Sequence, residues 1–378
     1  MVVDDSAVIR GFITRFLETD PLIKVVASAS NGEMAVRNIG LYKPEVVLLD
    51  IEMPVMDGLT ALPKLLHAQP DTQIVMASTL TRYNAEISLR ALKEGAVDYV
   101  PKPETNREVN ASIDFRKEIV EKVKAYGAAR RKARHEPLPG EGSTPSSFRG
   151  RQPVAYVRPQ TQTVAQPVAK VVPTRVLSLR PASSYKPKVL VIGASTGGPQ
   201  ALIKLFGQLA PSASVPVLIV QHMPATFTSI LADHLGKAAG RPASEGKDGE
   251  PVQPGRIYVA PGNFHMVLDG DADAPVIRLN QEPPENYCRP AVDPLFRSAA
   301  ALYGARTLAT VLTGMGHDGL KGGREVVAGG GTLLAQDETS SVVWGMPGAV
   351  ATAGLCHKVL ALEDLPEAIG RLLKGIGA

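Results

Sequence analysis

Short apolar runs alternate with amphipathic segments along most of this 378-residue chain, and polar residues follow the runs directly. Because short apolar runs fit strands that are buried on both faces, the pattern predicts parallel sheets covered by helices. The predicted strands are residues 46–49, 74–77, 97–100, 189–192, 215–220 and 308–312. The predicted helices are residues 7–17, 58–66, 85–94, 199–209 and 226–235. Both halves are therefore expected to be doubly wound α/β domains.

A segment of different composition, residues 127–187, separates the two halves. It has nine prolines, few large apolar residues, and eleven Lys/Arg against two Asp/Glu. The net charge of the chain is +4, so the segment carries +9 and the remainder −5. Such a composition buries too little surface to fold, which predicts a flexible, Pro-rich, basic linker. The predicted domains are residues 1–126 and 188–378.

A serine flanked by glycines follows the first apolar run of the second domain, in Gly193-Ala194-Ser195-Thr196-Gly197-Gly198. Glycines allow a turn too sharp for residues with a Cβ, so Ser195 is predicted to stand at the sheet edge, before a helix. That is how a nucleophile is displayed. An ordinary strand-to-helix turn or a phosphate-binding loop would use similar residues, although the G-x-G-x-x-G and Walker A patterns are both absent.

A base and an acid follow two other predicted strands of this domain. His222 comes after the run 215–220, and Asp318 lies just beyond the run 308–312. Each alone also fits a structural role, as a buried histidine or a turn-forming aspartate. Together with Ser195 they predict an acyl-transfer site at the edge where open α/β sheets build their sites. The order Ser-His-Asp differs from that of α/β-hydrolases, which place the acid before the histidine, so a standard esterase fold is not expected.

The first domain has a second constellation at strand ends. Asp4 and Asp5 follow the short apolar start, Asp50 follows the run 46–49, and Ser78 and Lys102 follow the next two runs. Clustered carboxylates repel one another unless a hard cation joins them, and Mg²⁺ favours oxygen ligands. A carboxylate beside Mg²⁺ and a lysine is a good phosphoryl acceptor. Asp50 is the most central of these carboxylates and is therefore the best candidate for the phosphoryl acceptor.

These residues carry a resemblance to a known family. Asp4-Asp5-Ser6, the segment 49–58, Ser78 and Pro101-Lys102-Pro103 resemble a response-regulator receiver domain. Gly193 to Gly198, Gln221-His222-Met223 and the segment 313–319 resemble the catalytic domain of the chemotaxis protein-glutamate methylesterase, CheB. Together the two resemblances cover nearly all of the chain outside the linker.

The receiver resemblance implies a flavodoxin-like fold with a five-stranded parallel sheet and roles for six residues. Asp50 would be phosphorylated by the chemotaxis histidine kinase. Asp5, Asp50 and the carbonyl of Glu52 would hold Mg²⁺, and Asp4 would support the ion through water. Ser78 and Lys102 would read out the phosphoryl group. An unphosphorylated receiver would cover the catalytic site.

The CheB resemblance implies a mainly parallel α/β domain and a serine hydrolase. Ser195, His222 and Asp318 would form the triad, and the backbone N–H groups of Thr196, Met315 and Gly316 would form the oxyanion hole. The reaction would hydrolyse glutamate γ-methyl esters on methyl-accepting chemoreceptors, releasing methanol. With an amide substrate it would deamidate glutamine. No cofactor is expected for the esterase reaction.

Other classes of function fit less well. A transcriptional regulator should have a short basic output module, and a nucleotide-binding output domain would leave His222 and Asp318 without a role. The positive charge lies in the linker, so no nucleic-acid partner is expected. No apolar stretch approaches the roughly 20 residues of a membrane span and no signal-peptide pattern occurs, which predicts a cytoplasmic protein.

Three details depart from the usual pattern or fall outside it. Only Met1, Val2 and Val3 precede Asp4, so the first strand is expected to be unusually short. Cys288 and Cys356 form no recognisable motif and are predicted to be reduced packing residues. His317 is expected to be a neighbour of Asp318 and not a catalyst.

Overall fold

The computed structural model describes residues 1–79, 81–102, 113–134, 177–209 and 214–376. The first domain has a parallel sheet in the order β2-β1-β3-β4-β5, with helices on both faces. Its strands are β1 Val2–Val3, β2 Ser28–Ala29, β3 Val46–Asp50, β4 Gln73–Thr79 and β5 Asp98–Lys102. Its helices are α1 Ala7–Leu17, α2 Gly32–Tyr42, α3 Gly58–Ala68, α4 Arg82–Lys93 and α5 Ile113–Arg134. The order is that of a flavodoxin-like fold, which confirms the predicted fold class.

Polar residues fix the starts of the helices in this domain. For each of the first four helices, a side-chain oxygen of the preceding residue accepts a hydrogen bond from a backbone N–H of the first turn, which otherwise lacks a partner. These N-caps are Ser6 for α1, Asn31 for α2, Asp57 for α3 and Thr81 for α4. The connections after β1, β3 and β4 are thereby held at the edge that carries the acidic residues.

The first strand is as short as expected. β1 has two residues, and the amino group of Met1 donates a hydrogen bond to the carbonyl of Val46 at 2.8 Å. Burial of this amino group lowers its pKa to about 5. The strand still pairs in parallel with both β2 and β3, so Asp4 emerges at the same edge as Asp50.

The second domain has a seven-stranded sheet in the order β14-β13-β12-β6-β7-β9-β8, and all of its pairs are parallel. Its strands are β6 Val189–Ala194, β7 Val217–Gln221, β8 Ala243–Glu245, β9 Ile257–Val259, β12 Thr307–Val311, β13 Thr332–Gln336 and β14 Lys358–Leu360. An antiparallel hairpin, β10 His265–Asp271 and β11 Ala274–Asn280, is separate from it.

Helices cover this sheet too. They are α6 Gly198–Gln208, α7 Ala225–Ala239, α8 Val292–Tyr303, α9 Leu320–Ala328, α10 Met346–Thr352 and α11 Leu365–Leu373. Every residue of β6, β7 and β12 is buried, as their apolar sequences predict. β6 lies between β12 and β7, so the strand order changes direction at β6. Ligands of open α/β sheets bind at such a switch point.

The predicted linker is shorter in the structure than in the sequence analysis. Helix α5 continues to Arg134, because residues 127–134 extend its turns along the first sheet. Residues 177–187 pack on the second domain, where Arg180 and Ser183 bond to the carbonyls of Gly354 and Ala305. Both ends of the predicted linker therefore have contacts or helical structure, and residues 135–176 lie outside the described part.

None of the described helices is both long enough and apolar enough to span a membrane.

Candidate functional sites

Four predicted residues of the first domain meet at the carboxyl edge of its sheet. Carboxylate oxygens of Asp4, Asp5 and Asp50 lie within 4.8 Å of one another. The ammonium group of Lys102 contacts Asp4 Oδ2 at 2.9 Å and Asp50 Oδ1 at 2.7 Å. Asp4 and Asp50 are buried, whereas Asp5 is exposed. The cluster is therefore buried where Asp4 and Asp50 contact Lys102, and it is open to solvent at Asp5.

The pKa values of Asp50 and Lys102 reflect the charges in this cluster. Burial raises the pKa of Asp50 to about 6, although Lys102 opposes the shift. Burial by itself would lower the pKa of Lys102, but Asp50 and Asp4 outweigh it and raise that pKa. Three carboxylates and one ammonium leave excess negative charge, so the oxygens suit a divalent cation.

Ser78 and Glu52 lie near this cluster without joining its hydrogen bonds. The hydroxyl of Ser78 donates to the carbonyl of Thr79 at 3.1 Å. Glu52 is exposed and, with Asp5, lines a cleft of about 480 Å³. Gly58 lets α3 approach Asp50 closely, since a Cβ there would lie 2.0 Å from the Asp50 carbonyl oxygen.

In the second domain, Ser195 follows β6 on a sharp turn into α6. Gly197 has a φ of +76°, and a Cβ on Gly198 would lie 2.0 Å from the Gln221 side-chain oxygen. The side-chain nitrogen of Gln221 donates to the carbonyl of Ser195 at 2.9 Å, and the backbone N–H of Ser195 donates to Thr313 O at 3.0 Å. The predicted glycine-dependent turn is present.

His222 follows β7, and Asp318 follows β12 on the opposite side of β6. Nε2 of His222 lies 2.8 Å from Asp318 Oδ2. Asp318 is buried and accepts backbone hydrogen bonds from Val292, Asp293 and Gly319 at 2.6, 3.0 and 2.9 Å. This carboxylate is therefore held in one orientation toward the imidazole.

His222 and Asp318 each shift the pKa of the other. Burial would raise the pKa of Asp318, but hydrogen bonding to His222 and to backbone amides outweighs burial and lowers it. Burial would lower the pKa of His222, but the Cys288 sulfur and Asp318 outweigh burial and raise it to about 10. The neighbours of His222 therefore favour the imidazolium, the form that the ring takes once it has accepted a proton.

The backbone N–H of His222 donates to the carbonyl of Ala194, the residue before Ser195, at 3.1 Å. Both ring nitrogens of His222 contact other residues, and within the described residues the Ser195 hydroxyl has no hydrogen-bond partner. The backbone N–H groups of Thr196, Met315 and Gly316 likewise have no acceptor in that part of the chain. Free amides beside a nucleophile can bind a developing oxyanion.

Sequence reasoning missed three residues of this site. The side-chain nitrogen of Asn286 donates to Asp318 Oδ1 at 2.9 Å and to Asp293 Oδ2 at 3.0 Å. Asp293 also accepts the backbone N–H groups of Gly319 and Gly322, and so fixes the start of α9. Cys288 lies 3.4 Å from His222. Asn286 and Cys288 lie in an aperiodic turn, so no hydrophobic pattern in the sequence marked them.

The two cysteines differ from each other. Cys356 is buried in the core of the second domain, as a packing residue should be. Cys288 is half-buried and its sulfur lies 3.4 Å from Nδ1 of His222, so this residue contacts the site as well as its neighbours in the fold. His317 is exposed and is adjacent to Asp318 in sequence.

The first domain lies against the turn that carries Ser195. Tyr126 of α5 donates to Asp98 Oδ2 at 2.9 Å, and its hydroxyl lies beside the backbone N–H of Gly197. The side chain of Gln200, one turn into α6, donates to the carbonyl of Ala96. Contacts from the first domain therefore reach within two residues of Ser195.

An aspartate-held histidine beside a serine on a strand-to-helix turn, at the switch point of a parallel sheet, is an arrangement typical of serine hydrolases. Residues 190–369 match the CheB methylesterase family, and residues 1–114 match the response regulator receiver domain family. The chain belongs to the CheB methylesterase family and has an N-terminal receiver domain.

Whole-length relatives have the same two parts. A protein-glutamate methylesterase/protein-glutamine glutaminase 1 of Rhodospirillum rubrum is 53% identical, over 97% of this chain and 92% of the relative. A protein-glutamate methylesterase/protein-glutamine glutaminase of Azospirillum brasilense is 54% identical, over 97% of this chain and 90% of the relative. The similarity thus includes both domains and their order.

Proposed function

We propose that this chain is a phosphorylation-regulated protein-glutamate methylesterase. Its substrates are glutamate γ-methyl esters on methyl-accepting chemoreceptors, and it also deamidates receptor glutamines. The observation that carries the proposal is the His222–Asp318 pair at the same sheet edge as Ser195, in a chain 53% identical to a protein-glutamate methylesterase/protein-glutamine glutaminase. Esters and primary amides share the same acyl-transfer chemistry, which accounts for both reactions.

The reaction follows from the roles that the side chains can take. His222 accepts the proton of Ser195 as the serine oxygen attacks the γ-carbonyl carbon. Because Asp318 holds Nε2, the ring nitrogen that takes this proton is Nδ1. The carboxylate of Asp318 fixes the ring orientation and stabilises the imidazolium that forms.

The oxyanion and the leaving group are handled by different groups. The amides of Thr196, Met315 and Gly316 are free to donate hydrogen bonds to the carbonyl oxygen as it becomes negative. Protonated His222 then gives its proton to the departing methanol, or to ammonia from an amide. Water attacks the acyl-serine by the same route in reverse and releases glutamate.

The acid cluster suits Mg²⁺, because three carboxylates lie within 4.8 Å of one another and one is open to solvent. Asp5, Asp50 and the carbonyl of Glu52 would hold the ion, and Asp4 would support it through water. When bound, Mg²⁺ would neutralise charge on a phosphoryl group. Asp50 accepts the phosphoryl group from the chemotaxis histidine kinase. Ser78 and Lys102 respond to it, Ser78 after giving up its present bond to Thr79.

Control of the esterase is supported by the contacts of the first domain. Gln200 bonds to Ala96 and Tyr126 lies beside Gly197, so the receiver side sits against the nucleophile turn. Receptor helices need access to this turn. A phosphoryl group adds about two negative charges at the receiver edge, and it activates the enzyme by favouring an arrangement in which the domains separate.

The domain assignment is part of the proposal. Residues 1–126 form the receiver and residues 188–378 the esterase domain, with α5 extending the first to Arg134. The segment between them is the connection that permits separation. Because the methylated helices of chemoreceptors lie in the cytoplasm, the enzyme acts there.

A ligand-binding output domain is the alternative, and it has less support. It would use the Gly193–Gly198 turn as a phosphate loop. The turn instead shares its sheet edge with a histidine that is paired with a buried aspartate at 2.8 Å, and a phosphate loop has no use for this pair. Protection by ATP or NAD against thermal unfolding would favour this alternative.

The proposal is tested by methanol release from methylated receptor. The intact protein is compared with Ser195→Ala, and with Asp50→Asn, each with and without a small phosphodonor. Loss of the serine should lower the rate on the order of 10⁴- to 10⁶-fold. The phosphodonor should stimulate the wild-type protein but not Asp50→Asn. Release that survives Ser195→Ala would refute the triad.

A further inference from the structure

Cys288 contacts the ring nitrogen of His222 that Asp318 leaves free. Its sulfur lies 3.4 Å from Nδ1, while Asp318 Oδ2 lies 2.8 Å from Nε2. In a triad, the nitrogen opposite the aspartate takes the proton of the nucleophile. The atom that Ser195 needs is therefore engaged by another side chain in this structure.

The position of Cys288 is set by a tight turn. The backbone N–H of Cys288 donates to Glu285 O at 2.8 Å, and that of Glu285 donates to Cys288 O at 3.1 Å. Between them, Asn286 and Tyr287 have φ values of +51° and +64°, as in a two-residue hairpin turn. Arg297 holds Glu285 by an ion pair, with one contact at 2.9 Å.

The same turn also holds the acid of the triad. The side chain of Asn286 donates to Asp318 at 2.9 Å and to Asp293 at 3.0 Å. One short segment thus contacts Asp318 through an amide and His222 through a thiol. Since Asn286 anchors the turn to a buried carboxylate, the structure of the site itself holds Cys288 against His222.

We propose that Cys288 is a positioning residue that holds the imidazole of His222 in a resting contact, which Ser195 must displace before the reaction. This rests on the proposed function. A thiol is a weak hydrogen-bond donor and a weak acceptor, so the contact can be broken at small cost. A hydroxyl at the same position would hold the ring more firmly.

The contact with Cys288 affects the pKa of His222. The sulfur of Cys288 is among the groups that raise the pKa of His222 against the effect of burial. The other charged groups around the pair are Asp318, Asp293, Glu285 and Arg297, and these remain when Cys288 is replaced. Removal of the sulfur should therefore lower the pKa of His222 without abolishing its bond to Asp318.

The test compares Cys288→Ala and Cys288→Ser with Cys356→Ala. Cys356 is the matched control, because it is a buried cysteine that makes no contact with the triad among the described residues. Methanol release without phosphodonor is measured from pH 5 to 10, and the thermal unfolding midpoint of each variant is recorded. Loss of one weak hydrogen bond corresponds to about a threefold to tenfold change in rate.

We expect Cys288→Ala to raise the rate by that factor and to move the acidic limb of the kcat/KM profile to lower pH. Cys288→Ser should be no faster than wild type, and Cys356→Ala should leave the position of the limb unchanged. An unmoved limb in Cys288→Ala, with a rate equal to or below that of wild type, would overturn the proposal and leave Cys288 as packing.

A second readout does not depend on esterase activity. Titration of the His222 ring by NMR, in Ser195→Ala with and without Cys288→Ala, reports the contact directly. A lower His222 pKa in the double variant supports the resting contact, and an equal pKa refutes it. A protein that releases no methanol but shows this shift would contradict the proposed function alone.

Discussion

The rings of Tyr99 and Phe227 stack face to face between the two domains, with centroids 4.2 Å apart and planes 7° from parallel. Tyr99 lies in β5 of the receiver and Phe227 in α7 of the esterase domain, and both are buried. Such aromatic pairs contribute about 0.5–1.5 kcal/mol beyond the area that they bury. This stack therefore favours the docked arrangement of the domains.

Tyr99→Ala should raise esterase activity in the absence of phosphodonor, because it weakens docking over the Ser195 turn. The rate should increase about twofold to tenfold, in line with the energy of one aromatic pair. Tyr99→Phe is the matched control, since it keeps the ring and loses only the hydroxyl. Equal unstimulated rates of methanol release in Tyr99→Ala and wild type would argue that the stack does not restrain the enzyme.

Phosphorylation should depend on Asp50 and not on other acids near the cleft. Asp50→Asn removes the proposed acceptor, so incorporation of phosphate from a small phosphodonor should fall to background. Asp57→Asn makes the same chemical change at the N-cap of α3, and asparagine also caps helices well. That variant should still be labelled. Labelling of Asp50→Asn at the wild-type level would place the acceptor elsewhere.

Strand ends were predictable from the sequence, and turns between them were not. Apolar runs located β3, β6, β7 and β12, and their parallel order brings Ser195, His222 and Asp318 to one edge. The hairpin His265–Asn280 was not predicted, because its strands are partly exposed and lack a continuous apolar run. Asn286 and Cys288 were missed because a turn with two non-glycine residues at positive φ has no sequence period.

The charge state of His222 should link stability to pH. Its pKa is raised from 6.5 to about 10, so between these values the folded protein binds the proton more tightly than the unfolded chain. The stabilisation is fully present below about pH 6.5 and is lost as the pH rises toward 10. The free energy of unfolding, measured in urea, should therefore fall across this window.

His222→Gln is the comparison for that measurement, because glutamine does not titrate. Other groups change charge in the same window, so the difference between wild type and the variant isolates His222. We expect this difference to shrink as the pH rises. A constant difference from pH 6.5 to 10 would mean that the folded pKa of His222 is close to its ordinary value.

Gly314 should be required for the geometry of Ser195. A Cβ on Gly314 would lie 2.4 Å from Met346 Sδ and 2.9 Å from Ser195 Cβ. Real Cβ atoms do not come so close, so Gly314→Ala must displace the nucleophile or the loop that follows β12. Misplacement by about 1 Å can cost roughly 100-fold in rate. We expect kcat to fall by about that factor in the phosphodonor-activated enzyme.

Gly207→Ala is the control for Gly314→Ala, because it adds a methyl group at a glycine where there is space for it. Gly207 lies in the last turn of α6 with nothing within 4 Å of its Cβ position, and alanine is favoured over glycine in helices by up to about 1 kcal/mol. This variant should keep full activity and unfold at a slightly higher temperature. If Gly314→Ala also kept full activity, the close approach of the loop to Ser195 would not matter for catalysis, because a shifted loop would then serve the triad equally well.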